Sequence, residues 1–541
     1  MKRGQQHLLM IVVLTFLVAL SPSWGQQAGP GQPDAAQRIG VTTEMVRAPA
    51  VVTDSSGVPI SDLTIHDFSI VENGRPQKIA YFEHIVTKPE LVKPTPSAEG
   101  EVSNTYEQTP RRLTIILLDM LNTSFVDQER ARRSITKFLS ESIVATEPVA
   151  LMALNASGVT LIHDFTTEPG VLAIALKQVG GELPLNQVLQ PVPLMVYRGR
   201  MNPMEEAAAL QNMEFQNQRN RVSGTLGISI TLACLRELGE AFAGIPGRKS
   251  LIWATGGVPF PADDSHYVTT WMSGLSELYQ ETWDAMNRAD MAIYPLDVEG
   301  LVNYGYRSTR YGAGSMPAIP FRTSVYEIEN FAKMTGGRMC YVKTEIGGCF
   351  REAAADSSEY YLLGFYPEPD PKHKGWRKMA VRVERNDAKV LARTSYYTGE
   401  TKRASAGRDD DILMSMKSPL DYTGLPLTVK WTGNRENAGK KSVGFQFRLA
   451  PGDATVDESD GNHVSMDFAA AAISPKGNVE ARFAKQLDGR IGEQAAARLK
   501  GGLEYLPGEL ELAPGEYMVR FIMRDNLSGR MGSISTALTV P

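Results

Sequence analysis

Cysteine is scarce in this chain: Cys234, Cys340 and Cys349 are the three among 541 residues. Three is an odd number, so in an oxidising compartment at least one thiol stays free or pairs between chains. Histidine is sparse as well, with seven residues, none of them four apart and none in a His-Glu-x-x-His, which excludes a zinc-protease site of that type. Excess positive charge is absent, since 56 Lys and Arg stand against 61 Asp and Glu. With no basic field to hold phosphates, nucleic acid is excluded as a partner. Apolar runs long enough to span a bilayer are also missing: the longest, Leu8 to Leu20, is about 13 residues against the roughly 20 required, so no transmembrane anchor is expected.

That run has a different use. Lys2 and Arg3 precede it and Ser23-Trp24-Gly25 follow, the layout of an export signal over residues 1–25 that is cleaved near Gly25. The mature protein is therefore expected to be secreted or periplasmic, and loss of Lys2 and Arg3 takes its net charge from −5 to −7. A charged fraction of 22% and a hydrophobic fraction of 43% are globular values, and the length implies three to four domains.

After a Gly/Pro/Gln-rich leader, residues 41–86 alternate short β-branched runs with turns, including Asn73-Gly74 between two apolar runs, and predict a small β module. Residues 87–112 hold Pro89, Pro94, Pro96 and Pro110 and little apolar content, which predicts an exposed linker. From Leu113 to residue 345 the pattern becomes strand alternating with helix. Leu113 to Leu118 ends at Asp119 and reads as a strand buried on both faces. Later strands are expected at Val149 to Leu154, Val159 to Phe165, Ser250 to Ala254, Met291 to Leu296 and Arg338 to Val342, with helices between, which implies a doubly wound sheet. Residues 357–400 and 412–541 are β-rich again, the latter with sandwich-like content. Three strands make a poor core. The 41–86 and 357–400 segments are therefore expected to pack together, with the α/β domain inserted between them. The fold class is multidomain, α/β plus all-β.

Several short motifs along residues 41–399 together resemble the bacterial VWFA-related proteins, secreted chains with a divergent von Willebrand factor type A domain. They are Val51-Val52-Thr53-Asp54, Glu72-Asn73-Gly74, Leu118-Asp119-Met120-Leu121-Asn122-Thr123, Pro246-Gly247-Arg248-Lys249, Tyr294-Pro295-Leu296-Asp297, Thr335-Gly336-Gly337-Arg338 and Tyr360 to Pro367. The resemblance implies a type A-like sheet with a ligand-binding face at the carboxyl ends of its strands. It also implies a metal site, with Mg²⁺ or another divalent cation held by an Asp-x-Ser-x-Ser, a Thr and a second Asp.

That site is degenerate here. Asp119 matches the first Asp, Thr123 the second hydroxyl and Thr225 the Thr loop, but Leu121 replaces the first Ser and Thr255-Gly256-Gly257 stands where the second Asp belongs. Asn122 or Ser124, and Asp263 or Asp264, are candidate substitutes. Fewer oxygen ligands and less charge imply weak binding at most. In the alternative reading Asp119 is a polar strand end that caps nearby backbone amides. Long segments leave the same edge, and one holds Tyr304, Tyr306, Arg307, Arg310, Tyr311 and Arg322 among glycines, residue types enriched in binding hot spots. These, with Trp271, form the expected partner surface for a protein or cell-surface ligand. Cys340 and Cys349 are the candidate disulfide, with Cys234 a buried hydrophobe.

Other chemistry is set aside. Gly433 to Lys441 does not register on the P-loop pattern, and the acidic loop Asp453, Asp457, Glu458, Asp460 has no Glu at the twelfth position of a calcium loop. Asp119, His163 and Ser250 lie near strand ends without the spacing of a triad. The expected function is non-enzymatic binding. A structural envelope role without ligand, or a hydrolase, are the alternatives.

Overall fold

The computed structural model describes residues 45–95, 97–141, 147–183, 225–257, 275–298, 325–340, 346–368, 375–398, 405–437, 439–501 and 504–541. The expected signal segment and leader lie outside these. The chain begins with β1 (Val46–Thr53), β2 (Phe68–Glu72), β3 (Arg75–Gln77), β4 (Ile79–Val86) and β5 (Glu101–Ser103). An alternating region follows: β6 (Leu113–Asp119), α1 (Phe125–Glu141), β7 (Val149–Asn155), β8 (Gly158–Thr166), α2 (Pro169–Gln178), α3 (225–242), β9 (Lys249–Thr255), α4 (Ser276–Arg288), β10 (Met291–Asp297), α5 (Val325–Thr335) and α6 (Ile346–Ser358). Next come β11 (Glu359–Phe365), β12 (Gly375–Val383), β13 (Lys389–Ala392), β14 (Ser395–Thr398) and α7 (Ser405–Lys417). The chain closes with β15 (Thr428–Asn437), β16 (Lys440–Leu449), β17 (His463–Ile473), β18 (Val479–Arg490), α8 (Glu493–Gly501), β19 (Glu504–Leu512), β20 (Gly515–Asp525) and β21 (Met531–Val540).

The central sheet has the order β10-β9-β6-β7-β8, parallel except for β8, which runs antiparallel to β7. Every residue of β6, β7, β9 and β10 is buried, because helices cover both faces. Leu117, Trp253 and Ile293 meet Leu235, Trp283 and Phe331 from α3, α4 and α5 on one face. On the other, Ile116, Leu151 and Ile252 meet Ile135, Leu172 and Phe350 from α1, α2 and α6. The chain steps from β6 outward to β7 and β8, then returns to β9 and β10 on the opposite side, so the winding reverses at β6.

The two segments flanking this sheet in sequence pair with each other. β1 lies between β11 and β13, and β2 pairs with β12, all antiparallel. Their sheets, β13-β1-β11-β4 and β14-β12-β2-β3, share a core of Ala48, Ala50, Phe68, Ile70, Leu363 and Phe365. The carboxyl-terminal sandwich sets β19-β16-β15-β5 against β18-β17-β20-β21 around Phe445, Phe447, Phe468 and Phe521.

Segment 87–112 departs from the exposed-linker reading. Its strand β5 adds an edge to β15, and buried Asn104 donates from Nδ2 to the carbonyls of Tyr422 and Leu425 (2.6 and 3.0 Å) while its Oδ1 accepts from Leu427 N–H (2.7 Å). The segment therefore straps the last sandwich to the chain ahead of the α/β domain. Two further readings change. The strand placed at Arg338 to Val342 is, among the described residues, a single bridge between Cys340 and Leu296. The Gly347-Gly348 pair, whose composition predicts a loop, is instead in the first turn of α6, tied by a Cys340–Cys349 disulfide with Cα atoms 5.6 Å apart. Cys234 is free and buried.

The polar stretch Lys402 to Asp411 also hides structure, since most of it belongs to α7, which lies between the α/β helices and β20. Asp411 accepts from Arg524 (Nη2, 2.8 Å) on β20 and pairs with Arg236 (2.6 Å) on α3, which also pairs with Glu281 on α4. Glu237, one residue along α3, accepts from Ser418 Oγ, and burial pushes its carboxyl up to about 7. In the unfolded chain it ionises at an ordinary carboxylate value, so between roughly pH 4.5 and 7 the folded state holds the extra proton. Stability from this group is present below that window and is lost as pH rises through 7. Glu237→Gln is expected to flatten that part of the stability-against-pH curve and to raise stability at pH 8 by up to about 3 kcal/mol, read by denaturant melts at pH 5 and 8.

Candidate functional site

Open α/β sheets bind ligands outside the carboxyl ends of their strands where the winding reverses. Asp119, the last residue of β6, occupies that point, next to Thr255 at the end of β9. Its carboxylate is buried and surrounded by donors. Oδ1 accepts from the backbone N–H of Leu121 (3.1 Å) and Asn122 (2.8 Å) and from Asn122 Nδ2 (3.2 Å). Oδ2 accepts from Asn122 Nδ2 (3.0 Å) and Thr255 Oγ1 (2.8 Å). Burial pushes this carboxyl up to about 6, against the lowering effect of the Asn122 and Thr255 donors.

The surrounding loop is held by polar side chains. Asn122 Nδ2 also reaches Thr231 Oγ1 on α3 (3.1 Å). Thr123 Oγ1 accepts from Gly256 N–H (2.8 Å). Ser124 caps α1, accepting from Asp127 N–H (3.3 Å) and donating to its carboxylate (2.5 Å). Gln128 Nε2 donates to the carbonyls of Met120 (3.0 Å) and Glu182 (2.9 Å), and its Oε1 accepts from Glu182 N–H (3.0 Å). The chain after α2 is thus fastened to the Asp119 loop.

A divalent cation needs about six oxygen acceptors converging on one point. Here the convergence is of donors on one carboxylate, and the Thr123 hydroxyl already accepts a backbone N–H. The residues present do not fit a divalent cation in this arrangement, and among the described residues no three His, Cys, Asp or Glu are grouped to hold one. Asn122 and Ser124, candidate substitutes for the missing hydroxyl, are a donor to Asp119 and a helix cap. Thr225 is the exposed first residue of α3, its carbonyl accepting from Ser229 Oγ (2.9 Å), and about two turns further along α3 the Thr231 hydroxyl reaches the cluster. The only signal of Thr231 in the sequence is a hydroxyl within an apolar helical run.

Tyr304, Tyr306, Arg307, Arg310, Tyr311, Arg322, Trp271, Asp263 and Asp264 lie outside the described residues. Within them, the same edge carries exposed apolar side chains: Phe125 and Val126 open α1, Leu183 follows α2 and Leu226 opens α3. The three residues near strand ends do not form a triad. Ser250 is level with Thr114, five residues before Asp119 and so about 16 Å down the sheet, and its hydroxyl bonds Ala353 O and Ser357 Oγ. His163 bonds its neighbour's carbonyl. In the acidic loop Asp457 caps the turn at Ser459 and Asp460, Asp460 pairs with Arg490, and Glu458 pairs with Lys500.

No family model and no curated protein matches the chain. Among solved structures it is similar to the TFIIH p34 N-terminal domain, with TM-score 0.20 and 11% identity over 45% of this chain and 96% of that one. It is also similar to a glycosyl hydrolase family 2 member from Bacteroides cellulosilyticus DSM 14838 (TM-score 0.15, 10% identity, 34% of this chain) and to a Bacteroides uniformis beta-glucuronidase (TM-score 0.15, 9% identity, 34% of this chain). The chain spans 20% and 19% of the length of those two. Likenesses this slight assign neither fold nor activity.

Proposed function

We propose that the chain is an exported, non-enzymatic binding protein whose central domain is a divergent von Willebrand factor type A-like module. In this reading the carboxyl edge of the module recognises a protein or cell-surface ligand. The observation that carries it is the winding reversal at β6, with Asp119 at the switch point and exposed Phe125, Val126, Leu183 and Leu226 on the helices and loop around it. In sequence, residues 258–274 and 299–324, which hold Trp271 and the Tyr and Arg set, follow β9 and β10. Export rests on the pattern of residues 1–25, and no helix among the described residues is long and apolar enough to cross a membrane.

The test is saturable binding of the purified mature chain to intact cells of the producing bacterium. Replacing Tyr306, Arg307 and Arg310 together with Ala is expected to weaken it by about ten-fold or more. Unchanged binding overturns the assignment to those loops. A second reading, a structural envelope component without ligand, is favoured by one observation: the Asp119 carboxylate is already satisfied by its own chain. Co-fractionation with the envelope but no saturable binding would select it.

A further inference from the structure

The resemblance implies a metal at the switch point, and the side chains there are arranged against one. We infer that the Asn122 side-chain amide takes the place of the cation, so that Asp119 is closed to metal and the edge works without one. The inference deepens the binding reading above, but its test reads metal uptake and stability and not ligand capture, so either can fail alone.

Three features support it. One NH₂ group faces both oxygens of Asp119, at 3.2 and 3.0 Å, and so presents a donor where a cation's ligand set would need acceptors free. Its orientation is dictated by chemistry: Thr231 Oγ1 gives its own hydrogen to Gly227 O (2.8 Å) and so accepts from Asn122. A flipped amide would turn its oxygen on the carboxylate and leave that acceptor without its donor. Finally, the position where the resemblance expects a second carboxylate holds Thr255, whose hydroxyl stands 2.8 Å from both Asp119 Oδ2 and Gly257 O and shares its one hydrogen between them in place of sharing a metal with Asp119. Asn122, at a variable position of the motif, and Thr255, where the second Asp belongs, thus set donors around an anion in place of acceptors around a cation. In these orientations each turns a hydrogen toward Asp119 where a dication needs a lone pair, and together they help balance the buried carboxylate.

The experiment uses the full mature chain and Mn²⁺ alone as the probe, with uptake followed by the resonance of free Mn²⁺ and stability by thermal melting. The wild type is expected to show no saturable uptake and no change of melting temperature. Asn122→Asp sets a second carboxylate against the first, two like charges that a cation relieves. It is expected to melt lower than wild type without metal, to gain a saturable Mn²⁺ site, and to recover about 5 °C when that site is filled. Adding Asp119→Asn should abolish the gain. Asn122→Ala supplies an independent readout should Asn122→Asp not fold: its melting temperature should fall by about 5 °C with or without Mn²⁺. Saturable uptake by the wild type that Asp119→Ala removes would overturn the inference. So would an Asn122→Ala variant as stable as wild type.

Discussion

Asp411→Ala is expected to cost about 3–5 kcal/mol and to split thermal unfolding into two transitions, because it removes the anion between the buried Arg524 and the partly buried Arg236, cations from different domains. Arg524, only 2% exposed, points Nε and Nη2 at Asp411 Oδ2 (3.1 and 2.8 Å), while Arg236 holds Oδ1. After truncation Arg236 keeps Glu281, but among the described residues Arg524 keeps the amide oxygen of Asn526. A charge taken out of water with one neutral acceptor is the expensive case. The cost falls on the contact between the carboxyl-terminal sandwich and α3, so calorimetry should show the sandwich melting apart from the α/β domain. Two companions give the sign. Asp411→Asn retains an acceptor and should cost about half as much, and adding Arg524→Met to Asp411→Ala should restore part of the loss by removing the stranded charge. A double variant no better than the single would mean that packing, and not charge, holds the interface.

Residues legible in the sequence were those whose role depends on neighbours in the chain. Leu113 to Asp119 and Met291 to Leu296 announce buried strands through composition alone, and Asp119 is placed at a strand end by the same run. The joining of 41–86 with 357–400 was legible by elimination, since neither piece could bury a core. What was hidden depends on contacts distant in sequence. β5 contributes one apolar residue, Val102, and its companion Asn104 bonds groups more than 300 positions away, so nothing local separates a strap from a linker. Gly347-Gly348 reads as a loop because glycine weakens a helix. In the fold, a Cβ on Gly347 would sit 3.3 Å from the Phe138 ring, so the glycine lets α6 close on α1 where Phe350 stacks on Phe138. At the switch point, spacing located Asp119 and Thr123 but not the direction of the hydrogen bonds around them. Whether Asn122 offers its oxygen or its nitrogen is decided by Thr231, on a helix 109 residues away.

Gly337→Ala carries the second large effect, and its reason lies in how α5 reaches the sheet. The helix ends at Thr335, and Gly336, at φ +76°, turns the chain in the left-handed conformation that closes many helices. Gly337 donates its N–H back to Ala332 O (2.9 Å), and the turn presses directly on β10, where Ile293 N–H donates to Thr335 Oγ1 (2.9 Å). A Cβ at Gly337 would stand 1.9 Å from Ile293 O and 2.8 Å from its carbon, both backbone atoms in the middle of a strand. Nothing flexible can yield, so the end of α5 must lift away. That movement pulls on Phe331, whose ring packs on Trp253 and Trp283 in the core between sheet and helices. The expected loss is about 4 kcal/mol or more, the scale of a badly overpacked core. Gly74→Ala calibrates it. Gly74 also has positive φ, but a Cβ there meets nothing within 4 Å, so only the backbone preference of about 1 kcal/mol is lost. Equal losses for the two variants in denaturant melts would refute the contact argument. A loss several-fold larger at Gly337 means that the Thr335-Gly336-Gly337-Arg338 motif is kept for close backbone approach and not for a ligand.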